Sequence, residues 1–448
     1  MESKQTQVIV VGGGLSGLTA AAYIARGGKS VTLFEKASVL GGRARTQECD
    51  GFLFNMGPHA LYLGGEARKV LREFGIAPTG GKPRPQGSAY LGGEIYPTPT
   101  DPVSFMRSKL LSRRGKIELM GFLGKALLLK PRDYAHVTMQ EWLNTTFRQP
   151  DARAFVEALA RTVTYTNAPE YQGVDQFIAQ LQVYVRGNVL YMDGGWQTLV
   201  DGMRRAATEQ GVNFVTGGSV ESVCYDGTRH LVKLANGTVH TAGTVILATD
   251  PSTASKLIEG GQHPTLREWA ASAVPARAAC LNLGLRRLPE PGNTFGIGLD
   301  TPLYMSVHST YARLAPDGKV LIHLLKYLHP DANTTPEQDE RELEALLDLM
   351  QPGWREQVVA RSYLPRMTVI NALSQAAHGG LEGRPGPEVP GLPNLYVVGD
   401  WVGKQGSLLD AGLASARTAS QLVLAGEARE PRHISPKTSQ PEYQLTGS

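Results

Sequence analysis

Cysteine is scarce: Cys49, Cys224 and Cys280 are the only ones in 448 residues, and no two form a C-x-x-C pair. Three widely separated thiols supply neither a disulfide framework nor a cysteine-based zinc site, and they point to a reducing compartment. Long apolar runs are also missing. No stretch approaches the roughly 18 uncharged apolar residues of a membrane-spanning helix. The opening MESKQTQVIVVGGG has no basic leader region, long apolar segment or cleavage site, so no secretory signal is expected and the expected location is cytoplasmic. Excess charge is absent as well: a formal net charge of +4 is small for this length and gives no reason to expect nucleic acid. There is no internal repeat and no metal-ligand spacing.

What is present is a folded composition, 42% hydrophobic and 19% charged, in a chain long enough for two cores. Gln7–Val11 is a β-branched run that stops at glycines. Leu15–Arg26 follows with helical apolar spacing, and Ser30–Phe34 is a second strand-like run, which makes a β-α-β unit of about 30 residues. A second strand-rich block spans Val212–Asp250, with Asn236-Gly237 as a tight turn and Thr244–Thr249 as a buried strand. A third, Asn394–Val398, runs into Gly399-Asp400 and a helical Leu408–Ala425. Residues 103–210 read as mostly helical, 275–330 as strands and 336–350 as a charged helix.

The fold expected is α/β: a Rossmann-like nucleotide-binding domain from 1–80, 200–265 and 390–426, with an inserted α+β substrate domain from 81–199 and 266–389. Residues 427–448, rich in Pro, Ser, Gln and Glu, are expected to be a disordered tail.

Gly12-x-Gly14-x-x-Gly17 lies between a strand and a helix, the context in which three glycines signify a dinucleotide site. Gly12 permits a tight turn, Gly14 lets the backbone approach a pyrophosphate, and Gly17 lets helix and strand pack closely. Leu15 and Ser16 open the helix whose free N–H groups face the phosphates. Glu35, ending the second strand, is placed to accept hydrogen bonds from a ribose, with Lys36 beside it.

From here Leu40-Gly-Gly42-Arg43-Ala-Arg-Thr46 resembles the flavin amine oxidase and phytoene desaturase superfamily, whose members share V-V-G-x-G-x-x-G-L followed by E-x-x-x-x-x-G-G-R-x-x-T. The resemblance implies FAD, with Gly42 and Arg43 at its pyrophosphate. It reaches both ends of the chain. Asn55-Met-Gly57-Pro58-His59 resembles the segment beside the flavin ring, and Val220–Val223 the strand that meets the adenine. Tyr396–Trp401 with Ser407-Leu408-Leu409-Asp-Ala-Gly412 resembles the carboxy-terminal FAD motif, with Gly399 and Asp400 near the ribityl or pyrophosphate region. By the same resemblance Arg43 and Asp400 stand at opposite ends of the cofactor's central region. No cysteine follows Cys280, so the FAD is expected to be non-covalent.

Tyr363–Thr368, His378–Leu381 and Gly399–Gly403 resemble bacterial phytoene-desaturase-like proteins more than amine oxidases, and Ser407-Leu408-Leu409 replaces the stretch that often gives amine oxidases an aromatic cage. The function this implies is removal of hydride from a hydrophobic small molecule to the flavin, by C–H oxidation or desaturation. A flavin amine oxidase, a flavin-dependent isomerase without net redox change, and a non-enzymatic binder of lipidated proteins of the escort-protein type are the alternatives.

Catalytic candidates are few. Lys326, on a probable strand opposite His323 in side-chain alternation, is either a lysine near the flavin, as family members that oxidise amines often have, or a solvent-facing strand residue. His59 is either a pocket group or a structural histidine. Trp196, Tyr304 and Trp401, with Tyr191, are candidates for the pocket wall.

From Arg107 to Arg132 eight Lys or Arg and one acid, Glu118, interleave with apolar residues. This segment reads either as an outer helix with solvated cations or as a basic amphipathic helix making peripheral contact with an anionic membrane. The oligomeric state has no signature.

Overall fold

The computed structural model describes residues 6–426 apart from Pro85 and Thr100. The expected disordered tail, 427–448, lies outside the described residues.

The chain opens with β1 (Val8–Val11), α1 (Leu15–Arg26) and β2 (Val31–Glu35), then α2 (Glu66–Glu73) and the hairpin β3 (Ser88–Leu91) and β4 (Glu94–Pro97). The helices that follow include α3 (Pro102–Arg107), α4 (Arg113–Ala126), α5 (Pro150–Thr164) and α6 (Val174–Gly187). Next come β5 (Val189–Met192), α7 (Gln197–Glu209), β6 (Asn213–Thr216), the three-stranded meander β7 (Val220–Tyr225), β8 (His230–Leu234) and β9 (Val239–Ala242), and β10 (Thr244–Leu247). The rest of the chain contains β11 (Ala276–Leu285), β12 (Phe295–Gly298), β13 (Leu303–Val307), β14 (Val320–Leu328), α8 (Pro336–Met350), β15 (Val358–Ile370), β16 (Leu395–Val397) and α9 (Leu408–Gly426).

β6, β2, β1, β10 and β16, in that order, form a wholly parallel sheet whose strands come from three separated stretches of chain. All four residues of β1 are buried, as expected for a parallel sheet covered on both faces. One face packs on α1, α7 and α9 through Leu18, Ile24, Leu199, Met203 and Leu413. The other carries Ile9, Val11, Val245 and Val397 against the meander and Trp401. The meander turns at Asn236-Gly237, where the Thr238 N–H donates to Asn236 Oδ1 and Gly237 has φ of +86°.

The second sheet has seven strands in the order β15, β11, β14, β13, β12, β3, β4, antiparallel except for β12 and β3. Its pleat sorts side chains between two cores. Ile322, Leu324 and Leu328 of β14 meet Leu343, Leu346, Leu347 and Met350 of α8. Leu325 and Tyr327, one residue out of phase, join the helical core of α4, α5 and α6.

Candidate functional site

A cavity of about 480 Å³ opens at the carboxyl ends of the parallel strands, where α/β sheets hold their ligands. Gly12 and Gly14 line it after β1, Glu35 and Lys36 after β2, Ala248–Asp250 after β10, and Gly399 and Asp400 after β16. Leu15 and Ser16 of α1 and Ser407, Leu408 and Leu409 of α9 present two helix amino termini to the same space, each with a positive dipole end.

The glycine loop is shaped by close approach. A Cβ on Gly12, which has φ of +109°, would lie 2.5 Å from the Ala248 carbonyl, and one on Gly17 would lie 1.9 Å from the Gly12 carbonyl. Gly14 meets nothing within 4 Å and faces the cavity. Gly17 therefore serves packing behind the loop. The Glu35 carboxylate accepts from the Gly13 N–H at 2.7 Å through Oε2 and from the Ala37 N–H at 2.8 Å through Oε1. It holds the loop while each oxygen keeps a second lone pair for a ligand hydroxyl. Val220, with Gly218 and Ser219, walls this end.

Midway along, Gly42, with φ of +52°, turns the chain so that Arg43 Nη1 reaches Asp400 Oδ2 at 2.8 Å and the Val369 carbonyl at 2.7 Å. The pair corrects the expectation that Arg43 and Asp400 stand apart: the approach of β15 to the end of β16 brings them into contact. Asp400, 5% exposed, also accepts from Asn371 through its backbone N–H at 3.2 Å and its Nδ2 at 3.0 Å. Arg384 donates to the carbonyls of Asp400 and Gly406, and burial lowers its pKa to about 10.

The far end contains Gly57, Pro58, His59, Leu61, Tyr62, Tyr165, Trp196, Met367, Leu408 and Leu409. Gly57, with φ of +100°, brings the chain against Met367, and the Tyr165 hydroxyl donates to the Pro58 carbonyl at 2.9 Å. His59 Nδ1 lies 3.0 Å from the Gly57 carbonyl, which can only accept, so Nδ1 carries the proton. Desolvation lowers the His59 pKa to about 4, so the ring is neutral near pH 7. It packs 4.6 Å from the Trp196 ring. The Trp196 Nε1 is buried with no protein acceptor among the described residues. Leu408 adopts φ of 54°, a strained conformation for a leucine, at the point where α9 begins. Asp410, in the first turn of α9, accepts from the Ala67 N–H of α2 at 2.6 Å, and burial raises its pKa to about 7.

Other candidates lie elsewhere. Lys326 is not at the cavity wall: the pleat of β14 sends it under α8, where its Nζ lies 3.0 Å from Asp339 and 2.6 Å from Glu342. It is 7% exposed, so it is not a solvated strand lysine either. Tyr304 is buried behind the cavity, edge-on to Phe295, with its hydroxyl 3.4 Å from that of Tyr191. Trp401 belongs to the core beneath the sheet and donates to the Thr249 carbonyl at 2.9 Å. Of the expected pocket aromatics only Trp196 reaches the wall. His323 is buried, with Nδ1 2.6 Å from Asn282 Oδ1 and its ring 4.6 Å from His308. Sequence reading overlooked Tyr165, Met367, Asn371, Arg384 and Asp410; of these Met367 and Asp410 sat inside quoted motifs without being singled out.

The family model described as flavin containing amine oxidoreductase matches residues 15–424. The chain belongs to that family. Proteins similar to it include the zeta-carotene-forming phytoene desaturase of Myxococcus xanthus, 23% identical over 97% of this chain and 96% of that protein. The 4,4'-diaponeurosporene oxygenase of Staphylococcus aureus is 24% identical over 48% of this chain, a match that spans about half of that protein's length. Among solved structures, putrescine oxidase bound to putrescine has a TM-score of 0.72 at 16% identity, covering 94% of this chain and 99% of that one. An oxidoreductase from Methanosarcina mazei has a TM-score of 0.74 at 18% identity, covering 93% and 100%. At these identities the structural likeness is one of fold. The open face of Gly14, the two helix amino termini and the Trp196 Nε1, which has no acceptor among the described residues, suit an elongated, anionic aromatic cofactor.

Proposed function

We propose that this protein binds FAD non-covalently and oxidises a hydrophobic small molecule at a C–H bond, by desaturation or a related two-electron step. The observation that carries this reading is the composition of the far end of the cavity, where Leu61, Tyr62, Tyr165, Met367, Leu408 and Leu409 face the space beside a neutral His59. An ammonium substrate would call for a free carboxylate or an aromatic cage. The one acid there, Asp410, is committed to the amino terminus of α2, and two leucines begin α9. The near-full-length similarity to a phytoene desaturase favours an extended apolar substrate as well.

Bound FAD supplies the two-electron acceptor. The chain's own residues bind, orient and exclude water. Glu35 receives the ribose, Arg43 and Asp400 grip the centre of the cofactor, and the apolar wall holds the substrate dry against it. His59 is too weak a base to drive the reaction; its Nδ1–H, held by the Gly57 carbonyl, fixes the ring beside Trp196. None of the three cysteines lines the cavity, which supports non-covalent attachment.

The test is anaerobic mixing of oxidised enzyme with acyclic polyene hydrocarbons in micelles, and separately with a panel of amines. Polyenes should bleach the flavin absorbance, yield a product two hydrogens lighter, and give back the colour on admission of air. Bleaching by amines alone, or a product of unchanged mass formed only after chemical reduction of the flavin, overturns the reading. Acid precipitation should release intact FAD; flavin retained by the denatured chain rules out non-covalent binding.

A further inference from the structure

Ten large hydrophobic residues are strongly exposed among the described residues, and seven of them fall between 103 and 128: Val103, Met106, Ile117, Met120, Leu123, Leu127 and Leu128. Scattered exposed leucines are ordinary, but concentration on one short segment is not. In α4 the inward residues Leu119, Phe122 and Ala126 enter the helical core, yet Ile117, Met120 and Leu123 on the remaining faces are 70, 55 and 47% exposed. Leu128, just past the helix end, is 78% exposed. A helix that is apolar all round is ordinarily covered all round.

The charges around this face have one sign. Arg107, Lys109, Arg113, Arg114, Lys125 and Lys130 are exposed, and none has an acidic partner among the described residues. The acids nearby are turned away or occupied. Glu118 accepts from the Gln149 N–H, Asp151 accepts from the Ser112 N–H, Asp101 caps α3, and Asp133 pairs with Arg132. Lys116 is the exception among the cations: it is buried and its Nζ donates to the carbonyls of Met106 and Ser108 at 2.8 and 2.7 Å, fastening the end of α3 to α4. The apolar residues of the two helices therefore form one held surface. No helix of the described residues is long and apolar enough to cross a membrane, so this surface can enter a bilayer only from the side.

We propose that α3, α4 and the turn after α4 form a docking surface for an anionic lipid bilayer, with Ile117, Met120, Leu127 and Leu128 entering the acyl boundary and the surrounding cations meeting the headgroups. The charge pattern selects this occupant over a second copy of the chain, which would bring six like charges against six. The inference stands apart from the identity of the substrate.

Flavin-loaded protein should co-sediment with vesicles containing anionic phosphatidylglycerol, and the bound fraction should fall as salt is added. Arg113→Gln and Arg114→Gln should each weaken binding roughly fivefold. Ile117→Ser combined with Leu128→Ser should weaken it more than tenfold. Since these side chains are exposed, flavin content and melting temperature should stay those of the parent, which separates loss of docking from loss of fold. Absence of binding at low salt, equal binding to purely zwitterionic vesicles, binding indifferent to the Ile117 and Leu128 changes, or dimerisation in solution that those changes abolish would each overturn the proposal.

Discussion

Arg43 and Asp400, 357 positions apart in the chain, are joined by a 2.8 Å ion pair in the wall of the cavity. The arginine remains partly exposed while the carboxylate is buried and held by Asn371 as well. A charge on the cofactor then meets a pre-set pair, with Asp400 fixing the direction from which the guanidinium approaches.

Because the two side chains touch, their contributions should be coupled. Arg43→Ala should cost roughly 1.5–3 kcal/mol of flavin binding, the worth of a charge-assisted hydrogen bond. Asp400→Asn should cost less, since an amide oxygen still accepts from Asn371. In the double variant the loss should be smaller than the sum, as for residues in direct contact. Equilibrium flavin titration of the apoprotein measures all three, and strict additivity would mean that the pair separates when flavin binds.

Asp410 predicts a pH dependence. Its pKa is raised from 3.8 to about 7, first by burial and further by Glu66, with Lys69 opposing. Between those values the folded state holds more protons than the unfolded one, so stability contributed by this group is present at low pH and lost as pH rises towards about 7. Asp410→Asn keeps an acceptor for the Ala67 N–H and removes the titration. Relative to the parent it should gain stability as pH rises from about 4 to about 7, by up to about 1.4 kcal/mol per unit, and the gain should level off above that. Asp175, raised to about 6 by burial, acts in the same direction, and the neutral His59 in the opposite one; both are unchanged in the variant and cancel in the difference. Denaturant melts at a series of pH values decide it, and parallel curves would contradict the assignment.

Lys326 should prove structural. Lys326→Met removes a cation from between Asp339 and Glu342, and although Arg366 remains beside Asp339, the loss should approach roughly 3 kcal/mol. Flavin content and rate of flavin reduction per folded molecule should be unchanged. A reduction rate that collapses while the melting temperature holds would return Lys326 to the active site.

By itself the sequence determined what depends on neighbours along the chain. Gly12, Gly14 and Gly17 with Glu35 lie inside one β-α-β unit, and steric limits on the backbone leave few shapes for such a loop, so the nucleotide end was legible before any coordinates. The carboxy-terminal motif was legible for the same reason, since Gly399, Asp400 and the start of α9 are joined by a short connection. Only the tertiary structure decided how these pieces meet. Alternation along β14 separates Lys326 from His323, but it does not say which face α8 covers; that depends on how the seven-stranded sheet packs. Tyr304 and Trp401 read as pocket aromatics because aromatic residues suit cores and pockets alike, and burial alone cannot tell the two apart. Arg43 comes from a stretch hundreds of residues away from that of Asn371, Arg384 and Asp400, and no local spacing encodes a contact made across that separation. In α4 the apolar residues were visible in the sequence, but their exposure followed from which side the helical core left uncovered.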